Sequence, residues 1–284
     1  MMSSVRRERL STFFLLLPGI GFIAIFVALV MGLTLVQSLG LINPTGRSRL
    51  TIAFWAGLFD RQLFDSLAYS TYVGLASAFG SMLLCYPLAL LLFRPFPGKN
   101  LILPLIRVPL FVPALVATFL ILNIMDYHGF LNYVLLKIGA VREPLRMRND
   151  PYAIGVVLIQ LWKNIPFQLV IMTAALEGIR EDLREAARNL GAGPLRLFRR
   201  IILPLTIPSA LISIILVFIG AFGDFAITKT AGPLYPMSLS VLMHTRAYQF
   251  QEWNAAACVG TMMVVVTIAF VAAYTRLASR VQDG

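Results

Sequence analysis

The feature that most constrains this chain is a run of roughly twenty apolar residues that recurs six times between its charged segments. A helix of that length crosses about 30 Å of hydrocarbon. In hydrocarbon the backbone must satisfy its own hydrogen bonds, which leaves helices as the natural spanning element for segments of this length. The runs are drawn at about Thr12 to Val36, Leu67 to Phe93, Leu101 to Met125, Tyr152 to Leu176, Leu205 to Phe222 and Ala255 to Leu277. Apolar residues make up 58% of the chain and charged residues 13%, too greasy a balance for a water-soluble domain. The expected fold class is therefore all-α, a polytopic bundle of six transmembrane helices.

An even number of spans puts both termini on one side, and the basic residues say which. Arg6, Arg7 and Arg9 precede the first span. Arg94 and Lys99 follow the second, and six arginines from Arg180 to Arg200 follow the fourth. Positive charge accumulates on the cytoplasmic side, so both termini are expected there, with tails at 1–11 and 278–284 around a membrane domain at 12–277. The third connection, with Lys137, Arg142, Arg146 and Arg148, dilutes this asymmetry without reversing it. The net charge of +11 is accounted for by topology and by contact with anionic lipid, with no need of nucleic acid. The first apolar run is too long for a signal-peptide core and lacks a small-residue cleavage site, so it reads as an uncleaved span.

Several chemistries find no support. No Gly-x-x-x-x-Gly-Lys-Ser/Thr phosphate loop is present, so nucleotide is expected on another chain. His128 and His244 stand far apart and belong to no catalytic or metal motif. Cys85 and Cys258 fall inside apolar runs and read as core residues. No catalytic residue and no metal ligand is assigned. An ion-coupled carrier is the competing class, but it needs ionisable groups near the membrane midplane, and Arg107, Asp126, Lys163 and Asp224 are read as lying near span ends. Prolines at 87, 104, 109, 113, 166 and 208 interrupt the runs, a pattern that suits helices packed about a pathway.

The connection from Glu177 to Leu203 carries the most information. Leu183, Ala186, Ala187 and Leu190 recur at helical spacing, which predicts a short amphipathic helix with its charges on the far side. Glu181 and Asp182 suit its N-terminal end and Arg188 its C-terminal half. Gly191 and Gly193 stop it, and Pro194 fits the first turn of a second helix. That second helix, with Leu195, Phe198 and Ile202 on one face, is expected at head-group level, with Pro204 opening the next span.

Glu185-Ala186-Ala187, Gly191-Ala192, Phe198 and Ile202-Leu203-Pro204 together resemble the EAA loop of binding-protein-dependent ABC importer permeases, which have a MetI-like transmembrane domain. Gly129-Phe130-Leu131-Asn132 and Trp162 with Pro166-Phe167 are similar to the same family, so the resemblance extends from Thr12 to Leu277. It implies a helix-turn-helix at 177–204 that docks on a cytoplasmic ABC ATPase dimer. Glu185, Ala186, Ala187, Gly191, Phe198 and Pro204 are then the coupling residues. It further implies ATP and magnesium on that ATPase, no cofactor on this chain, a second permease subunit (identical or homologous), and a periplasmic or lipid-anchored solute-binding protein at the outer loops. Leu190 stands where many members have aspartate. The alternative for Glu185 is a surface carboxylate paired with Arg188, a contact worth under about 1 kcal/mol.

A pathway should be lined by the few polar groups facing between spans. Asn123, Asp126, Asn164, Gln168 and Asp224 are the candidates, with interhelical hydrogen bonding as the alternative for each. The solute is a small polar molecule. Cys85-Tyr86-Pro87-Leu88-Ala89 and the Arg184 to Gly191 form of the loop resemble polyamine-type permeases. Thr228 to Pro233, Leu239-Ser240-Val241 and Ala255-Ala256-Ala257 resemble sugar and glycerol-phosphate permeases. Polyamine-like is placed first.

Overall fold

The computed structural model describes residues 2–282, with side chains placed for 15–276. Among these residues every regular element is helical. In chain order they are α1 (Met2–Ser38), α2 (Ala53–Ala56), α3 (Arg61–Phe93), α4 (Lys99–Arg107), α5 (Ala114–Met125), α6 (Phe130–Lys137), α7 (Ile154–Glu177), α8 (Glu181–Asn189), α9 (Pro194–Leu197), α10 (Leu203–Phe222), α11 (Ala226–Ala231), α12 (Leu239–His244) and α13 (Trp253–Gln282). The helix α1 already includes most of the expected N-terminal tail. The side chains of that tail and of 278–284 lie outside the described residues.

Among the described residues six stretches are long and apolar enough to span a bilayer: Leu15–Ser38, Arg61–Phe93, Ala114–Lys137, Ile154–Glu177, Pro194–Phe222 and Trp253–Arg276. The most apolar stretch of the first buries none of its residues against protein. An apolar helix exposed on every side is stable only where lipid replaces water. The six-span all-α fold expected from the sequence is the one observed.

Two expectations are corrected. The third span does not run from Leu101 to Met125. That stretch opens with the short helix α4, which ends at Arg107, and passes through a 3₁₀ turn at Val108–Phe111 before α5 starts behind Pro113. Pro109 and Pro113 each lack an amide and fall in the break between α4 and α5, whereas Pro104 is carried inside α4. The span instead continues past a break at residues 126–129 into α6. Likewise, Pro204 does not open a new helix. The residues from Pro194 to Phe222 form one continuous span, with a π-turn at Phe198–Ile202 in which the Leu203 amide donates to the Phe198 carbonyl. The wider turn accommodates a proline that has no amide to give.

The chain divides into two compact units. One comprises residues up to Asp60 together with Leu242–Val265. Within it, buried Asn254 donates to the carbonyls of Gln37 at 2.7 Å and Ile42 at 2.8 Å, which ties the start of α13 to the end of α1. Arg246 bridges Glu252 at 2.9 Å and Asp60 at 3.3 Å.

The other unit comprises Arg61–Val241 with the residues from Val266 onward. Its frame is α3, α7 and α10, packed pairwise along their lengths. Gly74 permits the closest approach: a Cβ there would sit 2.9 Å from the Phe218 ring. Phe218 in turn stacks on Phe222 and Phe270. Tyr69, Val73, Val156, Ile159, Leu122 and Ile227 close a second cluster that joins α3, α5, α7 and α11. Asn132, missed as an anchor in the sequence, is buried on α6. Its amide donates to the carbonyls of Asp126, Tyr127 and Leu145, and its oxygen accepts the Leu145 amide at 2.8 Å. Cys85 and Cys258 are buried free thiols, as core residues would be.

Candidate functional site

The two-helix segment forms as its residues dictate. Glu181 and Asp182 occupy the first turn of α8 and Arg188 its last, each complementing the helix dipole. At its C-terminus the Gly191 amide donates to Arg188 at 2.9 Å and the Ala192 amide to Ala187 at 2.9 Å. This is the paired bonding of a Schellman cap, which needs a left-handed residue, and Gly191 supplies it with φ at +76°. Gly193 and Pro194 then start α9.

The faces of α8 are unequally exposed. The side turned inward carries Ala187 and Arg184, whose guanidinium lies 4.6 Å from the Phe93 ring at the end of α3. Arg184 also pairs with Glu181 and is only 15% exposed. Leu183, Ala186 and Leu190 therefore face outward, with Leu190 86% exposed. A guanidinium packs flat on an aromatic ring while its charge is met by a carboxylate, so it displaces leucine from the inner face. Glu185 is exposed beside this outward stripe and takes part in no ion pair among the described residues, Arg188 included. Of the other residues expected to couple, Phe198 meets Tyr86 of α3 edge-on at 6.0 Å, and Pro204 is exposed behind the π-turn. Tyr86 also bonds Thr206 at 2.6 Å. The Thr206 hydroxyl is committed to the Ile202 carbonyl, so Tyr86 is the donor. Phe198 thus ties the segment to α3. Arg196, Arg199 and Arg200 are exposed around the turn.

The five pathway candidates do not converge on one chamber. Asn123 and Asp126 are exposed at the end of α5, where Asp126 accepts the Tyr127 amide. Asn164 bonds the carbonyl and side chain of Gln160 one turn earlier on α7. Gln168 is wholly buried and donates to the Ala78 carbonyl at 3.3 Å, a bond between α7 and α3. Asp224 accepts the Ile227 amide at 2.7 Å ahead of α11, while its carbonyl accepts the hydroxyls of Thr228 and Ser240. Burial pushes its carboxyl above the ordinary range. The Ile227 amide, the Lys163 charge and the Thr228 amide pull the other way. Lys163 is a further correction to the sequence reading: it lies about 14 Å into α7, mid-span and not near an end. An isolated lysine in an apolar run gave no hint that Asp224, distant in sequence, shares its surroundings.

Residues 77–283 match the family described as the binding-protein-dependent transport system inner membrane component. The chain is 28% identical over 217 residues to the spermidine/putrescine transport system permease protein PotB of Escherichia coli (strain K12), covering 76% of this chain and 78% of that one. The molybdenum transport system permease protein ModB of the same strain is 34% identical over 135 residues, 48% of this chain and 56% of its own. Among solved structures, a bacterial alginate ABC transporter in complex with an alginate pentasaccharide-bound periplasmic protein aligns with a TM-score of 0.77 at 19% identity, covering 99% and 98% of the two chains. The inward-facing MetNI methionine ABC transporter aligns with a TM-score of 0.59 at 17% identity, covering 78% and 96%. At these identities the structural likeness shows the fold.

Proposed function

This chain belongs to the binding-protein-dependent transport system inner membrane components, and from that premise we propose that its α8–α9 segment couples solute movement to ATP hydrolysis on a separate subunit. The chain is a multi-pass inner-membrane protein, the permease component of an ABC importer. The observation that carries the coupling reading is the outward stripe of Leu183, Ala186 and Leu190 beside the free carboxylate of Glu185, on a helix joined to a span through one short turn. Exposed leucines are costly in water and gain by burial against a partner. That partner is a cytoplasmic ABC ATPase dimer, which holds the ATP and magnesium. Ala187 and Gly191 shape the docking helix through its cap. Phe198 and Pro204 carry its motion into α3 and α10. The ion-coupled alternative is set aside with the family assignment.

The positive charge of the second and fourth connections supports cytoplasmic termini, and Arg184 and Phe93 bring those two connections together. A second permease subunit and a solute-binding protein complete the assembly. The solute is a small polar molecule, polyamine-like ahead of sugar or glycerol-phosphate, and the similarity to PotB over 76% of the chain supports that order. Asn123, Asp126, Asn164, Gln168 and Asp224 remain candidates for the pathway.

Glu185→Lys tests the coupling reading. The variant is expected to insert normally, lose copurification of the ATPase and abolish ATP-driven uptake in membrane vesicles. Unchanged copurification and uptake would refute docking at this residue.

A further inference from the structure

At the end of the second unit opposite α8 there is an open cavity of about 420 Å³. Its walls come from three separate segments: the first turns of α3 with Asp65, Tyr69 and Tyr72, Pro151 ahead of α7, and Tyr235-Pro236 ahead of α12. Because α3 and α7 both begin at the cavity and lead toward the coupling segment, it lies across the membrane from that segment. The volume suits a small ligand.

The lining has a definite chemistry. Three tyrosines and a single carboxylate share the lining. Asp65 accepts the Tyr235 hydroxyl and sits 3.7 Å from Arg61, whose side chain is 92% exposed. A carboxylate has about four acceptor positions, so two neighbours leave it room for another donor. The exposed arginine is a loose, solvated partner. Tyr69 is 95% buried by complement to its 5% exposure, yet its hydroxyl has no hydrogen-bond partner, and the Asp150 carboxylate acts on it electrostatically. Tyrosines also gather at membrane interfaces for lipid contact alone. That role does not call for a carboxylate among them, or for a buried hydroxyl left over.

Ring faces attract cations, and carboxylates accept N–H donors. We propose that this cavity is an outer-face recognition subsite for an organic ammonium ion, with Asp65 meeting the charge and Tyr72 and Tyr235 flanking it with their rings. The assignment rests on the importer reading and names the class of solute that the importer meets first.

The test is equilibrium binding of radiolabelled spermidine to the assembled transporter in nanodiscs, with maltose as a neutral competitor. Wild type should bind spermidine without competition from maltose. Asp65→Asn and Tyr72→Leu should each weaken binding about tenfold. Tyr235→Phe keeps the ring and should retain it. Absence of spermidine binding to wild type, equal affinity in Asp65→Asn and Tyr72→Leu, or effective competition by maltose overturns the subsite. Tyr72 is half-exposed, so its variant reports even where Asp65→Asn fails to assemble. ATP-driven uptake by the same transporter reconstituted in proteoliposomes separates the two readings. If uptake persists while the binding results fail, the subsite is wrong and the importer stands; if no solute is taken up with ATP, the importer reading fails as well.

Discussion

The Arg184 guanidinium lies 4.6 Å from the centre of the Phe93 ring, so α8 is held to the end of the second span as well as to the fifth. A cation–π contact of this partly buried kind is worth about 0.5–2 kcal/mol. Arg184→Ala and Phe93→Leu should leave the ATPase bound but reduce solute moved per ATP several-fold in proteoliposomes. Phe93→Tyr keeps the ring and should restore most of the coupling.

Leu190 is almost fully exposed, so Leu190→Asp should change the stability of the permease itself by no more than about 0.5 kcal/mol. Its effect should fall on association, with weaker ATPase copurification from detergent extracts at unaltered expression.

Gly74 faces Phe218 at a distance that admits no side chain. Gly74→Val should force α3 and α10 apart and cost about 1–3 kcal/mol. A lower thermal unfolding midpoint in detergent, with normal membrane insertion, is the expected result.

Asn132→Leu removes both partners of the Leu145 amide and carbonyl. These bonds are only part-buried and Leu145 is 44% exposed, so each one lost costs about 0.5–1.5 kcal/mol and the change should loosen the α6 end measurably. Limited proteolysis should then cut between α6 and α7, where the wild type resists.

Asp224 tests the sign of a buried carboxyl. Burial raises its value in the fold above the unfolded one, so the folded protein holds the proton more tightly. That contribution is complete below the ordinary Asp range near about 4 and is lost as pH rises through the folded value. The unfolding midpoint should therefore gain on acidification relative to Asp224→Asn, which keeps the acceptor for Ile227 and removes the charge. An identical pH profile for the two proteins would refute the assignment.

The number of spans was legible because hydrocarbon imposes length and hydropathy on any helix within it. The third span was misplaced because Leu101–Met125 is predominantly apolar, and hydropathy does not register that Pro109 and Pro113 break it. The residues of α8 were recognisable by spacing, but the orientation of the helix depends on Phe93, some ninety positions upstream. The Gln168–Ala78 bond and the field of Lys163 at Asp224 likewise join residues whose local sequence contains no trace of the partner.

The unbroken helix from Pro194 to Phe222 has 29 residues, about 44 Å of rod at 1.5 Å per residue. Mechanically it is a drive shaft. A displacement applied at its α8 end can be absorbed along the way only at the π-turn, where the hydrogen-bond ladder skips a residue, and at Pro208, which has no amide to give. Stiffness and compliance are thus set in series within one element: tightening that turn should transmit smaller strokes faithfully, and loosening it should let the ATPase cycle idle.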